Sequence, residues 1–545
     1  MTDHTFGIIG AGPGGLQLGY YLQQSGQDYL ILDRADEVGA FWRQYPRSRE
    51  LISFNRDAGI YDDPELKMRW DWNSLLTDSY EHLFPSYSDR LFPLGEEVLS
   101  YLADFAKRYE LRMRLGFDVR TVAKDADGRF VVTSSTGQVC RFRYLVVATG
   151  LSRAYLPEIP GIELTESYET VPLEPAEFKG QRVLIIGKGN SAFEVANSII
   201  DRAAIVHLAS PTPVQLAWRT RHSGHVRAQY TRILDSYQLK TLHSVLDCTI
   251  EGIERVGDRL RVTVSYVHAD GEREVFHYDR VIRCTGFQFD DSIFEESIRP
   301  RFDEVGRHPR MTPTWESVDV PNLFFGGTLS QGRDFKQASS AFIAGFRYNV
   351  RTLHRLLLHR HEGRPLETAQ HPMDPDVLAD TVLRRVSGAS ALWIQFGYLC
   401  DAIVLDPTAG TATYYEELPR EYVLESGLEA DSEYFVVDFE WGSWSGDVFA
   451  IDRHPRHDQA TTNVFVHPIV RFYRGGQQLA EHHVLEDLLG MYVHEGETGF
   501  VEERSRRDMR TYHREEHAEP LRAFFADQLG RRSVGEPLAF SAGRS

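Results

Sequence analysis

Residues 6–42, FGIIGAGPGGLQLGYYLQQSGQDYLILDRADEVGAFW, decide the fold of this chain. The stretch opens with an apolar strand, turns at glycines spaced G-x-G-x-x-G, continues as a helix and returns in a second apolar strand. In such a unit the first glycine makes the turn, the second lets the backbone approach a pyrophosphate, and the third packs the helix on the strand. The helix N-terminus offers free N–H groups to the phosphates. The glycines concerned are Gly10, Gly12, Gly14 and Gly15.

The second apolar strand ends on Asp33, which is followed by Arg34. A carboxylate about 20 residues after the glycine turn commonly binds a ribose hydroxyl. With the strand, helix and acid all in register, the sequence predicts a dinucleotide site. A glycine-rich turn in another kind of α/β unit is the alternative interpretation.

Composition limits the classes of protein to consider. A chain of 545 residues predicts two or three domains, and 42% hydrophobic with 26% charged residues is typical of a soluble globular protein. The net charge of −19 argues against a nucleic-acid partner, which needs a basic face. The four cysteines are scattered without a C-x-x-C motif, so we expect neither a disulfide framework nor a metal site. Because the first core strand starts at Phe6 and no apolar run could cross a bilayer, we expect a cytoplasmic protein without a membrane segment.

A second dinucleotide unit begins with the apolar residues 183–186. A G-x-G-x-x-A turn and a helix over 193–200 follow, and the next strand, 204–208, ends without an acid. An acid at that point would repel a 2′-phosphate, so its absence permits NADP. Arg219 and Arg221 are candidates for the phosphate, with plain surface charge as the alternative. The turn residues expected to bind the cofactor are Gly187, Gly189, Asn190 and Ser191.

Residues 278–287 repeat the pattern of residues 145–150, and we interpret them as the return of the chain to its first domain. The predicted fold is therefore α/β, with two nested Rossmann-like domains as in two-cofactor flavoenzymes, followed by a C-terminal α+β domain. The predicted limits are 1–162 and 278–362 for the FAD-binding domain, 163–277 for the NAD(P)H-binding insertion and 363–545 for the last domain. A long helix is expected over 337–358. The C-terminal domain carries no chemical signature; we expect helices over 376–385 and 504–514 and strands over 433–439 and 463–473.

These motifs together resemble the flavin-containing monooxygenase superfamily. The matching pieces are Gly10-x-Gly12-x-x-Gly15, Gly39-x-x-Trp42, Asn55, Ala148-Thr149-Gly150, Gly187-x-Gly189-x-Ser191-Ala192 and Thr285-Gly286-Phe287. Within it, the chain is most similar to the FAD-dependent oxidoreductase domain-containing family, through segments such as Trp70-Asp71-Trp72-Asn73-Ser74-Leu75-Leu76 and His482-His483-Val484-Leu485-Glu486-Asp487. The resemblance covers nearly the whole chain.

Two features depart from the family pattern. The animal member is a protein of the endoplasmic reticulum lumen, whereas this sequence shows neither a signal peptide nor a retention tail, so we expect a bacterial-type cytosol. The linker histidine of the F-x-G-x-x-x-H fingerprint is also missing, and its place falls near Glu166. The second departure concerns the handling of NADP and not the binding of flavin.

The resemblance implies an enzyme that uses FAD, NADPH and O2, with NADH as the alternative reductant. In the family, reduced flavin and O2 give a C4a-hydroperoxide whose oxygen passes to a nitrogen or sulfur atom, so the protein needs no acid–base pair of its own. Asn55 is the residue implied to support that species, or else it is a turn asparagine. Flavin or nicotinamide contacts are also implied for Trp42, Arg43, Val119, Thr149, Gly150, Thr285, Gly286 and Phe287.

The substrate is predicted to be a small amine or an amino acid that becomes N-hydroxylated in a bacterial biosynthetic pathway. Arginines around the first loop could clamp a substrate carboxylate in bidentate fashion, or pair with acidic surface instead. The candidates for substrate binding are Arg47, Arg49, Arg283, Arg333 and Lys336. A homo-oligomer is compatible with this function.

Two other classes of protein remain open. One is a different flavin-dependent oxidoreductase, either an NAD(P)H oxidase or a thiol-linked enzyme. The missing C-x-x-C counts against thiol chemistry, which needs two neighbouring thiols. The other is a flavin-binding scaffold that recruits a protein in quality control.

Overall fold

A computed structural model of the chain describes residues 2–56, 63–222, 224–238, 242–426, 428, 433–443, 457–487, 490–493 and 514–530. The chain divides into two compact units. The first consists of Met1–Asp57 and Asp71–Arg351, and the second consists of Ala58–Trp70 and Thr352–Ser545. Both predicted dinucleotide-binding regions lie in the first unit.

The first sheet of the first unit is built around the strand Thr2–Ile9. This strand pairs in parallel with Tyr29–Leu32 on one side and with Val139–Val147 on the other. Phe6 and Ile8 are fully buried, which explains the continuous apolar run that the sequence shows here. The strands described in this sheet are Thr2–Ile9, Tyr29–Leu32, Met113–Arg114, Val119–Lys124, Phe130–Ser134, Val139–Val147 and Leu323–Phe325.

The second sheet of this unit is centred on the strand Arg182–Ile186. It pairs in parallel with Ile205–Ser210 and with Arg280–Arg283. Apolar clusters cover both faces of the sheet, one with Phe193 and one with Val262. The strands described in it are Glu166–Ser167, Arg182–Ile186, Ile205–Ser210, Ser244–Val256, Arg259–Tyr266, Arg273–Tyr278 and Arg280–Arg283. A small ribbon pairs Arg153–Ala154 with Phe287–Gln288.

This sheet corrects one expectation. The strand Arg280–Arg283 was predicted to mark the return to the first domain, but it pairs with Arg182–Ile186 and Glu166–Ser167 in the second sheet. The likeness to residues 145–150 has a different cause: each sheet contains its own buried strand that ends in a Thr-Gly turn. The chain rejoins the first sheet at Leu323–Phe325, which pairs with Val139–Val147.

Each glycine turn leads directly into a helix. Pro13–Gln24 begins after Gly12, which is extended, with a proline at the first position where its fixed φ suits a helix. Asn190–Ile199 begins after Gly189 in the same way. The other helices described in this unit are Phe41–Gln44, Gly95–Arg108, Ala217–Thr220 and Arg232–Gln238, with 3-10 turns at Phe84–Tyr87, Ile162–Leu164, Pro175–Phe178, Ala228–Tyr230, Glu296–Ile298 and Gly327–Gly332. The long helix expected over 337–358 is observed at Ile343–Glu362.

The second unit contains an antiparallel sheet with helices. Its described strands are Thr368–Pro372, Leu399–Asp406, Thr411–Pro419, Glu433–Trp441, Val466–Arg474 and Gln477–His483. Its described helices are Pro64–Trp70, Pro375–Gly388, Ser390–Ile394, Arg420–Ser426 and Arg514–Gly530, with a 3-10 turn at His457–Thr462. The predicted helix at 376–385 and the strand at 433–439 are present. Residues 504–513 of the other predicted helix lie outside the described residues.

Among the described helices, none combines the length and the apolar character that a membrane span requires.

Candidate functional site

In the first glycine turn, Gly10 and Gly15 are packed against backbone atoms, whereas Gly12 has open space beside it. Gly10 has φ 114° and its N–H donates to the carbonyl oxygen of Leu32 at 2.8 Å. A Cβ atom at Gly10 would lie 2.6 Å from the Ala148 carbonyl oxygen, and one at Gly15 would lie 1.9 Å from the Gly10 carbonyl oxygen. A Cβ atom at Gly12 would meet nothing within 4 Å. The space that a ligand could use is therefore beside Gly12.

Asp33 holds the turn and faces a cavity. One carboxylate oxygen accepts from the Ala11 N–H at 2.6 Å, and the other accepts from the Ala35 N–H at 2.9 Å. Asp33 lines a cavity of about 390 Å³ together with Arg34 and Val119, as the sequence predicts for the nucleotide end of a flavin site.

A second cavity of about 470 Å³ brings both glycine turns together. Gly12 and Gly14 line it from the first turn, and Asn190 and Ser191 line it from the second. The two cavities share a set of lining residues, so they adjoin one another and form one candidate space for a ligand. The shared residues are Gly12, Phe41, Tyr45, Ala148, Thr149, Leu151, Ser152 and Phe287.

Three observations show that the residues of this space fit FAD. A backbone position is open at Gly12, where a pyrophosphate would approach. Trp42 lines the larger cavity, and its indole nitrogen is buried without a hydrogen-bond partner. The ring of Phe41 lines both cavities yet is 54% exposed, which is unusual for a large apolar side chain. A dinucleotide flavin would cover this apolar surface and contact Trp42 as predicted.

The second glycine turn repeats the arrangement of the first. Gly187 has φ 126°, and a Cβ atom there would lie 2.3 Å from the carbonyl oxygen of Cys284. A Cβ atom at Gly189 would meet nothing within 4 Å. Asn190 is held by its side chain, which donates to the Gly224 and His225 carbonyl oxygens at 3.1 Å. These residues fit the phosphates of a second dinucleotide.

A lysine that the sequence analysis missed lies where the second unit lacks an acid. The Lys188 ammonium group is nearly buried and donates to the carbonyl oxygens of Ser210 and Thr212 at 3.0 and 3.1 Å. It also forms an ion pair with Asp247. Its position inside the glycine turn was the signal that could have revealed it. Lys188 therefore fixes the end of the second strand.

The two arginines predicted for the 2′-phosphate lie further along the chain. Arg219 is exposed on the short helix Ala217–Thr220. Arg221 ends that helix with φ 61°, and burial lowers the pKa of its guanidinium. Neither is among the described residues that line the two cavities, so their role stays a prediction.

The two Thr-Gly turns differ in position: Thr285 and Gly286 are not among the described residues that line the two cavities, so their contact with a cofactor stays a prediction. Thr149 and Gly150 line the larger cavity, and Gly150 has φ 67°. The Thr285 hydroxyl donates to the Tyr155 carbonyl oxygen at 2.5 Å, and the Tyr155 N–H donates to the Gly286 carbonyl oxygen at 2.8 Å. Phe287 lines both cavities.

Asn55 was the predicted side-chain amide beside the flavin, but in the structure Asn73 is the asparagine of this region that lines the larger cavity. The Asn55 side chain donates to the Ser88 carbonyl oxygen at 2.5 Å and is not among the described residues lining either cavity. Asn73 lines the larger cavity, accepts from the Ser53 hydroxyl at 2.6 Å and donates to the Phe54 carbonyl oxygen at 2.8 Å. Asn55 fixes its own loop, whereas Asn73 forms part of the cavity wall.

The arginines of the first loop serve the protein itself. Arg43 is exposed and pairs with Glu37 at 2.6 Å. Arg49 pairs with Glu96 at 2.8 Å and donates to the Trp42 carbonyl oxygen at 2.6 Å. This corrects the expectation that Arg43 contacts a cofactor and that Arg49 binds substrate, because neither is among the described residues lining the cavities.

Arg47 is part of a joint between the two nucleotide-binding regions. Its guanidinium donates to the carbonyl oxygens of Tyr168 and Val171 at 2.7 and 2.8 Å. Glu194, which is 3% exposed, accepts from the Ser48 N–H at 2.5 Å and from the Tyr168 hydroxyl at 2.6 Å. We call Arg47, Ser48, Tyr168, Val171 and Glu194 the interdomain joint. Two N–H groups of Arg47 bind within the joint, and Arg47 is not among the described residues that line the two cavities, which argues against its assignment to substrate.

The remaining substrate candidates also point elsewhere. Arg283 donates to the Thr165 carbonyl oxygen at 2.9 Å, and Arg333 donates to the Met311 carbonyl oxygen at 3.0 Å. The Lys336 ammonium group lies 5.4 Å from the centroid of the Phe335 ring. None of these three is among the described residues lining the larger cavity, which instead includes Arg307. No motif surrounds Arg307 in the sequence, so pattern analysis had no means to find it.

The structure also describes Glu166, the four cysteines and the groups that could bind a metal. Glu166, at the place of the missing linker histidine, accepts from the Arg280 Nε at 2.6 Å. All four cysteines are buried and free, and burial raises the pKa of Cys248 to about 11. In the described part of the chain, no group of three or more His, Cys, Asp or Glu side chains could hold a metal ion.

Fold and site together define a protein that binds two dinucleotides, and comparison with known proteins gives its family. The chain belongs to the family described as pyridine nucleotide-disulphide oxidoreductase, whose model matches residues 7–327. Within it, the chain is 36% identical over 537 residues to FAD-dependent oxidoreductase domain-containing protein 2 of Mus musculus, covering 88% of this chain and 80% of the relative. The Danio rerio protein of the same name is 35% identical over 525 residues, covering 87% and 76%.

A solved structure has the same fold over the first part of the chain. The flavin-containing monooxygenase from Stenotrophomonas maltophilia is 22% identical, with a TM-score of 0.50, and the match covers 66% of this chain and 99% of that one. These findings confirm the predicted family resemblance and the two-dinucleotide-binding fold. The protein is a flavin-dependent oxidoreductase.

Proposed function

We propose that this protein is an FAD- and NAD(P)H-dependent monooxygenase that transfers oxygen from O2 to the nitrogen of a small amine or amino acid. The observation that carries the proposal is the cavity of about 470 Å³ that both glycine turns line. A hydride donor and a flavin bound at the two turns would meet in one space. Bound FAD supplies the hydride acceptor and the activation of O2.

The residues of this chain bind and orient the cofactors and shield the reacting atoms from water. Gly12 and Gly189 leave room for phosphates, and the N-termini of the helices that follow offer N–H donors. Leu51, Ile52 and Phe342 contribute apolar wall, which keeps water from the reacting atoms. Oxygen transfer needs such a dry cavity, because water would divert reduced flavin toward peroxide.

The nitrogen of the substrate must carry a free lone pair to react. Turnover is therefore expected to rise with pH as the amine loses its proton. For the reductant we propose NADPH, with NADH as the alternative, because the strand Ile205–Ser210 ends without an acid.

The direct test is the fate of oxygen and of NADPH. Purified holoenzyme is supplied with NADPH, labelled ¹⁸O2 and a panel of amines and amino acids, and product is measured by mass spectrometry beside hydrogen peroxide. We expect at least one amine to gain one labelled oxygen atom. Peroxide equal to the NADPH consumed with every compound would instead make the protein an NAD(P)H oxidase.

The cavity amide is tested by a pair of variants. Asn73→Ala removes a side chain that lines the cavity, and Asn55→Ala removes one that only holds the Ser88 carbonyl. Because a lost hydrogen bond costs ~1–3 kcal/mol, we expect Asn73→Ala to lower the ratio of product to NADPH about tenfold at unchanged FAD content. Asn55→Ala should keep its coupling. The reverse result would return the role to Asn55.

The thiol-linked alternative has little support in the chain itself. All four cysteines are buried and free, and burial places the pKa of Cys248 at about 11, so its thiol stays protonated at neutral pH. A thiol trap added to the NADPH-reduced holoenzyme should leave all four unmodified. Rapid alkylation of one of them would favour thiol chemistry.

A further inference from the structure

Two of the described residues lining the larger cavity carry a formal charge, Arg307 and Glu194. The two oxygens of Glu194 already accept from the Ser48 N–H and the Tyr168 hydroxyl. Arg307 is different, because a guanidinium has five N–H donors. It donates one hydrogen bond, to the Thr285 carbonyl oxygen at 3.2 Å, and stacks over the Tyr155 ring at 5.1 Å.

Two hydrogen bonds of the Arg307 backbone fix the position of this residue. Its N–H donates to the Asp303 carboxylate at 3.0 Å, and its carbonyl oxygen accepts from the Phe289 N–H at 2.8 Å. In the described part of the chain, no carboxylate oxygen lies within ion-pair distance of the guanidinium. The side chain is thus held at the cavity wall with N–H donors left for a ligand.

The groups around Arg307 carry charges of both signs: the Lys336 ammonium group interacts with its charge, and the Asp303 carboxylate accepts from its backbone N–H. Burial first, and then the Arg307 charge, lowers the pKa of the Lys336 ammonium group. Burial and the same charge also lower the pKa of His308, against the opposing effect of Asp303. A cation in a largely apolar cavity is costly unless an anion accompanies it. An anionic ligand would supply that counter-charge.

We propose that Arg307 binds the carboxylate of the substrate, so that the enzyme oxygenates an amino acid or another carboxylate-bearing amine in preference to a simple amine. The amine part of this inference rests on the proposed function. A planar guanidinium can hold a carboxylate through two parallel hydrogen bonds, which fixes both the position and the orientation of a small substrate. Arg307 would then determine which amines bind productively.

The first experiment measures binding and needs no turnover. Benzoate and benzamide have the same shape and differ in charge. Oxidised holoenzyme is titrated with each, and the dissociation constant is read from the change in flavin absorbance. We expect benzoate to bind about 10- to 100-fold more tightly than benzamide, as for a charge-assisted hydrogen bond. Equal affinities would overturn the proposal.

Variants of Arg307 test whether this residue causes the preference for benzoate over benzamide. Arg307→Gln should abolish the difference between benzoate and benzamide, and Arg307→Lys should restore part of it. The matched control is Arg310→Gln, which removes an exposed arginine three positions away and should bind like the wild type. A preference that survives in Arg307→Gln, with normal FAD content and melting temperature, would remove Arg307 from the site.

Turnover kinetics distinguish a carboxylate-binding role of Arg307 from a role in binding a cofactor phosphate. L-ornithine and putrescine share their chain and amines and differ in one carboxylate. We expect Arg307→Gln to raise the KM for L-ornithine about tenfold or more and to leave the KM for putrescine and NADPH unchanged. A rise confined to the KM for NADPH would assign Arg307 to a cofactor phosphate and overturn the proposal. If no amine of the panel is oxygenated, the proposed function fails, while the benzoate and benzamide titration still decides the role of Arg307.

Discussion

The two glycine turns of the first unit have the same shape but not the same chemistry. In each, the first glycine has a positive φ and lies against the carbonyl oxygen of the residue that follows a neighbouring strand, Ala148 or Cys284. In each, the second glycine is open, at Gly12 and Gly189. The turns differ at the third small residue and at the end of the following strand, and these differences accompany the proposed assignment of the first turn to flavin and the second to a hydride donor.

The third residue shows how closely helix and turn pack. At the first turn it is Gly15, where a Cβ atom would lie 1.9 Å from the Gly10 carbonyl oxygen. At the second turn it is Ala192, whose methyl group is fully buried. The strand after the first turn ends in Asp33, which accepts two backbone N–H groups, and the strand after the second ends at Ser210, beside the Lys188 ammonium group. The first site therefore presents an acid, whereas at the second the nearly buried Lys188 ammonium group, paired with Asp247, fixes the end of the strand.

The largest expected effect comes from exchanging the third residues. Gly15→Ala places a methyl group against a backbone carbonyl that cannot move aside, so we expect a loss of about 3 kcal/mol or more in unfolding free energy and little soluble yellow protein. Ala192→Gly should cost about 0.5–1 kcal/mol, as for any glycine within a helix. Chemical denaturation measures both. Similar losses in the two variants would mean that the turns pack alike.

The second effect concerns the open glycines. Gly12→Ala and Gly189→Ala add a methyl group where the protein has free space, so both variants should fold with normal melting temperatures as apoproteins. Gly12→Ala should lower FAD affinity about tenfold or more, and Gly189→Ala should raise the KM for NADPH by a similar factor at full FAD content. Flavin absorbance and steady-state kinetics distinguish them. Loss of FAD from Gly189→Ala would show that the roles of the turns are not separate.

The contrast between the turns also shows how far sequence reasoning reached. Spacing predicted both turns, the Thr-Gly turns and Asp33, because short-range backbone geometry dictates glycine at fixed positions. It did not predict Arg307 or Asn73 as cavity residues, since the chain brings them there from distant segments without a local pattern. Arg47 and Arg49 were assigned to substrate for the same reason. The sequence shows that they carry a charge, but it does not show the backbone carbonyl oxygens to which their guanidinium groups donate in the folded chain. The strand Arg280–Arg283 was given to the wrong sheet because the pattern of a buried strand does not identify its neighbours.

Asp33→Asn gives a smaller change at the first site. The amide still fills the position but exchanges one acceptor oxygen for a donor, which would face the Ala11 or Ala35 N–H. We expect FAD affinity to fall about five- to tenfold, in line with ~1 kcal/mol for a hydrogen bond. The quantity to measure is the dissociation constant from titration of the apoprotein with FAD. The KM for NADPH is the internal control and should stay constant.

The smallest expected effect tests the reductant at the second site. Arg221→Gln is predicted to raise the KM for NADPH about two- to fivefold more than that for NADH, as for one partly solvated charge contact. Arg219→Gln is the matched comparison, because Arg219 is exposed on the same short helix. Steady-state kinetics with both reductants give the answer. Equal changes for NADPH and NADH in both variants would remove these arginines from the site.

The interdomain joint has a consequence for timing. Arg47 and Ser48 come from the flavin-binding region, and they share Tyr168 and Glu194 with the region that carries the second turn. A connection with buried and partly buried, charge-assisted hydrogen bonds resists rotation of one region against the other, a motion of microseconds to milliseconds. The distance between hydride donor and acceptor would then depend less on domain rotation and more on side-chain motions of nanoseconds or less. Folding itself, rather than a closing movement in each cycle, would bring the two cofactors into line.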